Sequence, residues 1–164
     1  MRVWISGAFS IAVVALSSCG QLPTDNSASP LELRADPVRV MEEGQDGLAE
    51  VVAVLWVRNT SETAVGLTWD GCGPLHLTVY PDVGRSDSSV WHYPRSMSGF
   101  CVLSAHGFTL QAGEEYSFSV RIPVKRIRLP DRSERRYYFT ITPAFSAPGL
   151  RNLEIAAGSA LLTP

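Results

Sequence analysis

Histidine and cysteine have the widest chemical range of the residue types in this sequence, and both are scarce. Of the 164 residues, three are histidines and three are cysteines. Two histidines, a cysteine and an axial methionine are the ligands of a blue-copper site. In such a site the methionine follows the cysteine, whereas Met97 precedes Cys101 here. We therefore expect His76, His92 and His106 to be surface or turn residues, with no metal site. The alternative is a carrier that binds a metal or small ligand through His92, Met97 and His106.

Motifs typical of enzymes are missing from the sequence. The run Gly84-Arg85-Ser86-Asp87-Ser88 lacks the closing glycine of a nucleophile elbow, and neither H-E-x-x-H nor a glycine-rich phosphate loop occurs. The single lysine, Lys125, follows a valine, which excludes a P-loop. Glu42-Glu43 and Glu114-Glu115 are sequence neighbours, and neighbours point to opposite sides of an extended chain. The sequence therefore predicts a protein that is not an enzyme and has no cofactor.

The first nineteen residues have the pattern of an export signal. Arg2 is followed by a run of apolar or small residues from Val3 to Leu16. This run is shorter than the roughly 20 residues of a membrane-spanning helix, and its length is typical of a signal peptide. It ends in Leu16-Ser17-Ser18-Cys19, which resembles the lipobox of bacterial lipoproteins.

The lipoprotein resemblance implies both a location and a domain organisation. Residues 1–18 would be a signal peptide removed by cleavage, and Cys19 would be acylated. Residues 19–30 would be the lipid-bearing cysteine and a flexible tether, with a root-mean-square reach of about 18 Å. We therefore expect a protein of the bacterial cell envelope, anchored to a lipid bilayer and facing the periplasm or the cell exterior.

Two cysteines remain once Cys19 is assigned to lipid. Cys72 and Cys101 form an even pair in an exported chain, where oxidising conditions favour a disulfide. Gly71 and Gly73 flank Cys72, and Gly99 lies two residues before Cys101, so both loops are flexible enough to adopt disulfide geometry. A metal or redox pair is the alternative, but the chain has no C-x-x-C and no zinc-ribbon spacing. We predict a structural disulfide between them.

The rest of the chain has the pattern of short β-strands. Apolar residues alternate with polar ones between turn residues, and no window shows a helical stripe. The clearest runs are Val51–Val57, which is apolar on both faces like a central strand, Leu75–Tyr80 and Tyr116–Ile122. Asp36-Pro37 predicts a kink in an edge strand. About eight short strands of this kind indicate an antiparallel sandwich, with a small barrel as the alternative.

Part of this strand pattern is similar to a known family. The segments Val54–Ser61, Val65–Trp69, Val90-Trp91 and Phe108–Glu114 resemble, in order and sequence, the BsuPI-type intracellular proteinase inhibitor. The resemblance implies an all-β fold, an immunoglobulin-like antiparallel β-sandwich of about seven to eight strands, here over residues 31–164. It also implies that the protein inhibits a proteinase.

Charge argues against nucleic acid and indicates one local basic cluster. The formal net charge of −2 gives no global basic field. Six cations nevertheless lie close together before the run at Tyr137, and they could contact anionic lipid headgroups or an acidic partner. The alternative is a solvated loop. The cations are Lys125, Arg126, Arg128, Arg132, Arg135 and Arg136.

We expect a non-enzymatic, membrane-anchored protein that acts by binding another protein of the envelope. Its partners would be the bilayer, through acylated Cys19, and an envelope protein. Aromatic residues in loops are common interface anchors, although they also fill the ends of sandwiches. The predicted contact residues are Trp91, His92, Tyr93 and Phe100.

Overall fold

The computed structural model describes residues 29–42, 48–82, 84, 88–95, 102–127, 129, 134–151 and 153–163. The predicted signal peptide, Cys19 and most of the tether lie outside these residues. No helix in the described residues is long and apolar enough to cross a membrane. The described residues contain a single 3₁₀ turn, Val124–Arg126, and eleven strands: β1 (Leu31–Ala35), β2 (Arg39–Met41), β3 (Glu50–Asn59), β4 (Val65–Gly71), β5 (Leu75–Tyr80), β6 (Trp91–Tyr93), β7 (Val102–Leu110), β8 (Glu115–Pro123), β9 (Arg135–Pro143), β10 (Phe145–Ser146) and β11 (Ile155–Leu162).

The first layer is built around β3, as its apolar sequence predicts. β1 and β2 pair with one edge of β3, β8 pairs with the other, and all these pairings are antiparallel. Because side chains alternate along a strand, every second residue of β3 faces the core. These residues are fully buried: Val51, Ala53, Leu55 and Val57. The prediction of a central strand is confirmed.

The second layer consists of two consecutive ladders, β11-β9-β5-β6 and β10-β4-β7. β4 leads into β5 and β9 leads into β10, with Ala144 N donating to Pro74 O between the ladders. Residues 72–74 interrupt this long strand, and Gly73 there has a φ of +99°, which favours glycine. When β4 is joined to β5, β9 to β10, and β1 to β2 on their shared edge of β3, the segments form eight strands. The antiparallel β-sandwich is therefore confirmed.

The two layers meet along one side, which we call the closed side. Asp36 N donates to Val54 O in β3, but after Pro37 the chain changes partner and Val38 N donates to Ala157 O in β11. Proline has no N–H to continue a ladder, so it is suited to the point where an edge strand changes sheets. The kink predicted at Asp36-Pro37 is confirmed, and it joins the edge formed by β1 and β2 to β11.

The opposite side, which we call the open side, is bordered by β7 and β8. β7 pairs with β4 and β8 pairs with β3, and no other described strand covers their outer edges. The sequence did not predict β7, because Ser104, Ala105 and Gly107 interrupt its apolar alternation. Gly107 is required there, since a Cβ atom would lie 2.6 Å from Leu67 O of β4.

Candidate functional site

A strip of aromatic side chains lies on the open side, between the two layers. The register pairs Leu67 with Phe108 and Trp69 with His106, so these side chains share one face of the β4–β7 ladder. In the facing layer, Tyr116 and Phe118 of β8 share the face of Val57 and Leu55. We call this strip the aromatic groove. Its rings are Trp69, His106, Phe108, Tyr116, Phe118 and Phe145.

Ring contacts run continuously across the groove. The centroid of Phe118 lies 5.7 Å from that of Phe145 and 5.4 Å from that of Trp69, and both phenylalanines are buried. Tyr116 stands 4.8 Å from Phe108 at the rim. Phe108 and Trp69 are half-buried, while Tyr116 is 47% exposed. Offset and edge-on ring pairs at these distances are favourable. Phe118 and Phe145 thus form a buried apolar floor of the groove, and Tyr116 lies at a rim that is exposed to solvent.

The β7 wall of the groove is a sheet edge with which none of the described strands pairs. Exposed edge strands usually carry charged residues or proline, which discourage pairing with another strand. β7 has nine residues, Val-Leu-Ser-Ala-His-Gly-Phe-Thr-Leu, with no Lys, Arg, Asp, Glu or Pro. On the other wall, Glu115, Arg121 and Pro123 stand near the ends of β8. The aromatic groove therefore lies beside the edge of β7, a strand without charged residues or proline.

A buried asparagine holds one end of the groove. Asn59 is 0% exposed, and its Nδ2 donates to the carbonyl oxygens of Thr63, Leu110 and Gln111 at 2.8, 3.1 and 3.1 Å. Its Oδ1 accepts from the N–H and the hydroxyl of Ser61. The end of β3 is thereby fixed to the end of β7 and to the turn before β8. The sequence alone does not predict this hydrogen-bonding pattern, because it joins residues that are about fifty positions apart.

The predicted contact residues of β6 lie elsewhere, and one of them is wrong. Trp91 is only 1% exposed, because it faces inward opposite Val79 of β5 and fills the core. It is therefore a core residue and cannot serve as a contact residue. His92 and Tyr93 are half-buried, and Phe100 lies outside the described residues.

His92 belongs to a polar cluster on the outer face of the second layer. Its Nε2 lies 2.5 Å from Ser89 Oγ, and its Nδ1 lies 3.2 Å from Thr78 Oγ1. One strand further, Thr140 Oγ1 and Tyr80 OH both donate to Glu154 Oε1. These bonds attach the segments before β6 and β11 to the sheet, which is a structural role.

His76 lies on the same outer face. Burial lowers the pKa of its imidazole, and the charges of Arg95 and His92 act in the same direction, while Asp70 opposes them. A base with a lowered pKa stays neutral over a wider pH range. The imidazole of His76 therefore stays neutral down to a lower pH than an ordinary histidine does.

The residues of the alternative metal carrier are not brought together. His92 is paired with Thr78 in one ladder, whereas His106 stacks on Trp69 in the other, with ring centroids 6.2 Å apart. Met97 lies outside the described residues. Among the residues that the structure describes, no group of three His, Cys, Asp or Glu side chains could hold a metal ion.

The remaining predicted site residues fall into two places. Cys72 follows β4 and is disulfide-bonded, but Cys101, its predicted partner, lies outside the described residues, so the pairing stays a prediction. Lys125 and Arg126 are exposed on the 3₁₀ turn, and Arg135 and Arg136 are exposed at the start of β9. Arg128 and Arg132 are outside the described part of the chain.

Comparison with known proteins assigns no family. No protein-family model and no curated protein match the chain. A Bordetella pertussis protein assigned as ApaA aligns over 83% of this chain and 96% of its own, with 14% identity and a TM-score of 0.41. A β-glucosidase from Listeria innocua aligns at 12% identity and a TM-score of 0.37, over 80% of this chain and 16% of its own. TM-scores this low inform neither fold nor function.

Proposed function

We propose that the chain is a lipid-anchored, non-enzymatic protein-binding module of the bacterial cell envelope, and that the aromatic groove is its contact surface. The observation that carries the proposal is the half-exposed strip of rings beside the edge of β7, a strand without charged residues or proline. Aromatic residues are enriched at protein interfaces and often supply most of the binding energy. Trp69, Phe108 and Tyr116 would be the main contact residues.

The side chains of the groove favour binding over catalysis. His106 is the one titratable group besides the Tyr116 hydroxyl among the six rings, and its Nε2 lies 2.8 Å from Ser104 Oγ. No described carboxylate is hydrogen-bonded to His106, so the orienting acid of a catalytic triad is not in place. Aromatic rings recognise the shape of a partner, and the backbone edge of a strand recognises an extended segment of its chain.

The proposed anchor suits a groove on the open side. The described chain enters the domain at β1, whose first residue, Leu31, lies on the closed side opposite Asn59 of β3. A tether from Cys19 to Pro30 would therefore leave from the side away from β7 and β8. With Cys19 embedded in the bilayer, the groove would stay accessible to a partner in the envelope.

A proteinase is the narrower identity for that partner. This proposal rests on the resemblance to the BsuPI-type inhibitor, whose matching segments lie mainly in β3, β4 and the turn before β8. These segments hold core and turn residues and end beside the groove. Inhibition of a proteinase is therefore one outcome of a partner search, and binding of a non-proteolytic envelope protein is the other.

We also propose that Cys72 and Cys101 are bonded to each other. Gly71 pairs with Val102 at the end of the β4–β7 ladder. In the sequence, Cys72 directly follows Gly71 and Cys101 directly precedes Val102, so the proposed bond would close this end of the ladder. The bond would fix the far end of β7, as Asn59 fixes the near end.

Site-specific photocrosslinking tests the groove as a contact surface. Tyr116 and Ser117 are adjacent in β8 and point to opposite faces, so they form a matched pair. A benzophenone amino acid at position 116 should give a discrete adduct in intact cells of the host. The same group at position 117 should give none, because it faces away from the groove. Adducts of equal yield at both positions, or none at position 116, would contradict the proposal.

A further inference from the structure

Two exposed apolar side chains lie at the far end of the closed side. Leu161 of β11 is 49% exposed and Met41 of β2 is 39% exposed. Both belong to edge strands. These two strands, β2 and β11, are joined by the hydrogen bond that Val38 N, just before β2, donates to Ala157 O of β11. Neither side chain takes part in the aromatic groove, which lies on the other side of the sandwich.

Several cations lie at the same end of the sandwich as these two residues. Leu161 pairs with Arg136 and Leu162 with Arg135 across β9 and β11, and Arg39 shares a face with Met41 on β2. The 3₁₀ turn with Lys125 and Arg126 directly follows Pro123, the last residue of β8. Pro123 and Met41 both pair with Glu50 of β3, so they lie at the same end of the first layer. We call this region the cationic corner. Its exposed residues are Arg39, Met41, Lys125, Arg126, Arg135, Arg136 and Leu161.

The described charges of the cationic corner are unequal. The described part of this region has five exposed cations and two exposed carboxylates, those of Glu42 and Glu134. Glu50, also at this end, is buried. Ile127 is buried too, so the apolar residue next to Arg126 contributes to the core and not to the surface. Long cationic side chains around isolated apolar ones are typical of surfaces that sit at a membrane interface.

We propose that the cationic corner lies against an anionic lipid bilayer as a second membrane contact, in addition to the acyl anchor. The contact requires a membrane-attached protein and therefore rests on the proposed anchoring. β1, where the tether enters, and β2, which carries Arg39 and Met41, form one edge. Both attachments can thus reach the same bilayer when the domain lies on its closed side. That orientation directs β7 and the aromatic groove away from the lipid.

The position of the tether favours a bilayer over an acidic protein as the partner. β3 spans ten residues, so the end where Leu31 enters is about 30 Å from the end with Met41. When a domain of this length lies flat on the bilayer, Leu31 stays close to the membrane surface. The tether therefore does not have to be extended. Each cation at an anionic surface is expected to favour the contact about fivefold. Leu161 and Met41 would add shallow insertion between headgroups.

Fluorescence quenching in vesicles tests the contact. The acylated mature protein carrying Leu161→Trp is reconstituted into vesicles of phosphatidylcholine with phosphatidylglycerol, one of them with brominated acyl chains. A control protein carries Thr109→Trp on the exposed face of β7. Relative to the parent protein, whose native tryptophans are Trp56, Trp69 and Trp91, we expect brominated lipid to quench the added fluorescence of the position 161 variant and not that of the position 109 variant. Replacing phosphatidylglycerol by phosphatidylcholine should remove the quenching.

A charge comparison shows whether the cations are responsible. Arg39→Gln, Lys125→Gln and Arg135→Gln together should lower the ratio of contacting to free orientations about a hundredfold. The matched set Arg58→Gln, Arg95→Gln and Arg151→Gln should leave it unchanged. Quenching that is equal at both positions, that persists without anionic lipid, or that responds equally to both sets would overturn the proposal. A protein that is acylated but unquenched refutes this contact alone, whereas a protein that is not acylated refutes the anchor.

Discussion

Replacing Asn59 by aspartate should lower the free energy of unfolding by about 4 kcal/mol at neutral pH. The Nδ2 of Asn59 donates to three carbonyl oxygens in the wild-type structure. A carboxylate at this position would present an anion to those three oxygens in a fully buried site. Buried carbonyls without donors and an unpaired buried charge are each costly.

The pH dependence of this variant has a definite sign. Burial beside carbonyl oxygens raises the folded-state pKa of the new carboxyl group above its unfolded value of about 3.9. The destabilisation is therefore full above the raised pKa and is relieved as the pH falls through it, since the protonated acid can again donate. Thermal denaturation at pH 7 should show a midpoint roughly 10 °C or more below the wild type.

Controls separate the effect of charge from the loss of hydrogen bonds. Asn59→Ala removes the same bonds without adding a charge, so it should be destabilised at every pH by less than the aspartate variant shows at pH 7. Ser61→Ala removes the hydroxyl that donates to Asn59 Oδ1 but keeps the backbone N–H that donates to the same oxygen, so it should cost only about 1 kcal/mol. A midpoint for Asn59→Asp within 2 °C of the wild type, on the scale of about 3 °C per kcal/mol, would contradict this account of the site.

Replacing Tyr116 by alanine should weaken binding of the envelope partner at least about thirtyfold, which corresponds to roughly 2 kcal/mol. Tyr116 is an exposed ring at the rim of the groove and contacts both Phe108 and Phe118. Because it is already 47% exposed, its loss should change the free energy of unfolding much less than loss of a buried ring. The residue would thus affect binding far more than folding.

Calorimetric titration of the partner, identified by crosslinking, provides the measurement. Ser117→Ala on the opposite face is the matched control and should bind like the wild type. The melting temperature of each variant shows whether folding is intact. Equal affinities of Tyr116→Ala and wild type would remove the groove from the proposed function.

The layer architecture could be predicted from the sequence because its signals are local. The apolar run of β3, the alternation in β5 and the proline at position 37 each depend on neighbouring residues, and the structure confirms all three. Period-two patterning reports directly which face of a strand is buried.

The groove could not be predicted, because it depends on contacts across the sandwich. β7 has a weak strand pattern, and only its register with β4 brings His106 next to Trp69. Tyr116 and Phe118 were visible as alternating aromatics, but no local rule tells an open side from a closed one. Trp91 failed as a contact residue for a related reason. In a strand of three residues, the pattern does not show which side chain faces inward.

Metabolic labelling with a clickable palmitate analogue tests most directly the claim that this sandwich operates from a membrane. Host cells expressing the wild-type chain should incorporate the label into this protein, which should sediment with membranes. The Cys19→Ser chain should carry no label. If the wild-type protein stays unlabelled, or if the serine variant is labelled equally, the acyl anchor is refuted and the proposed function with it.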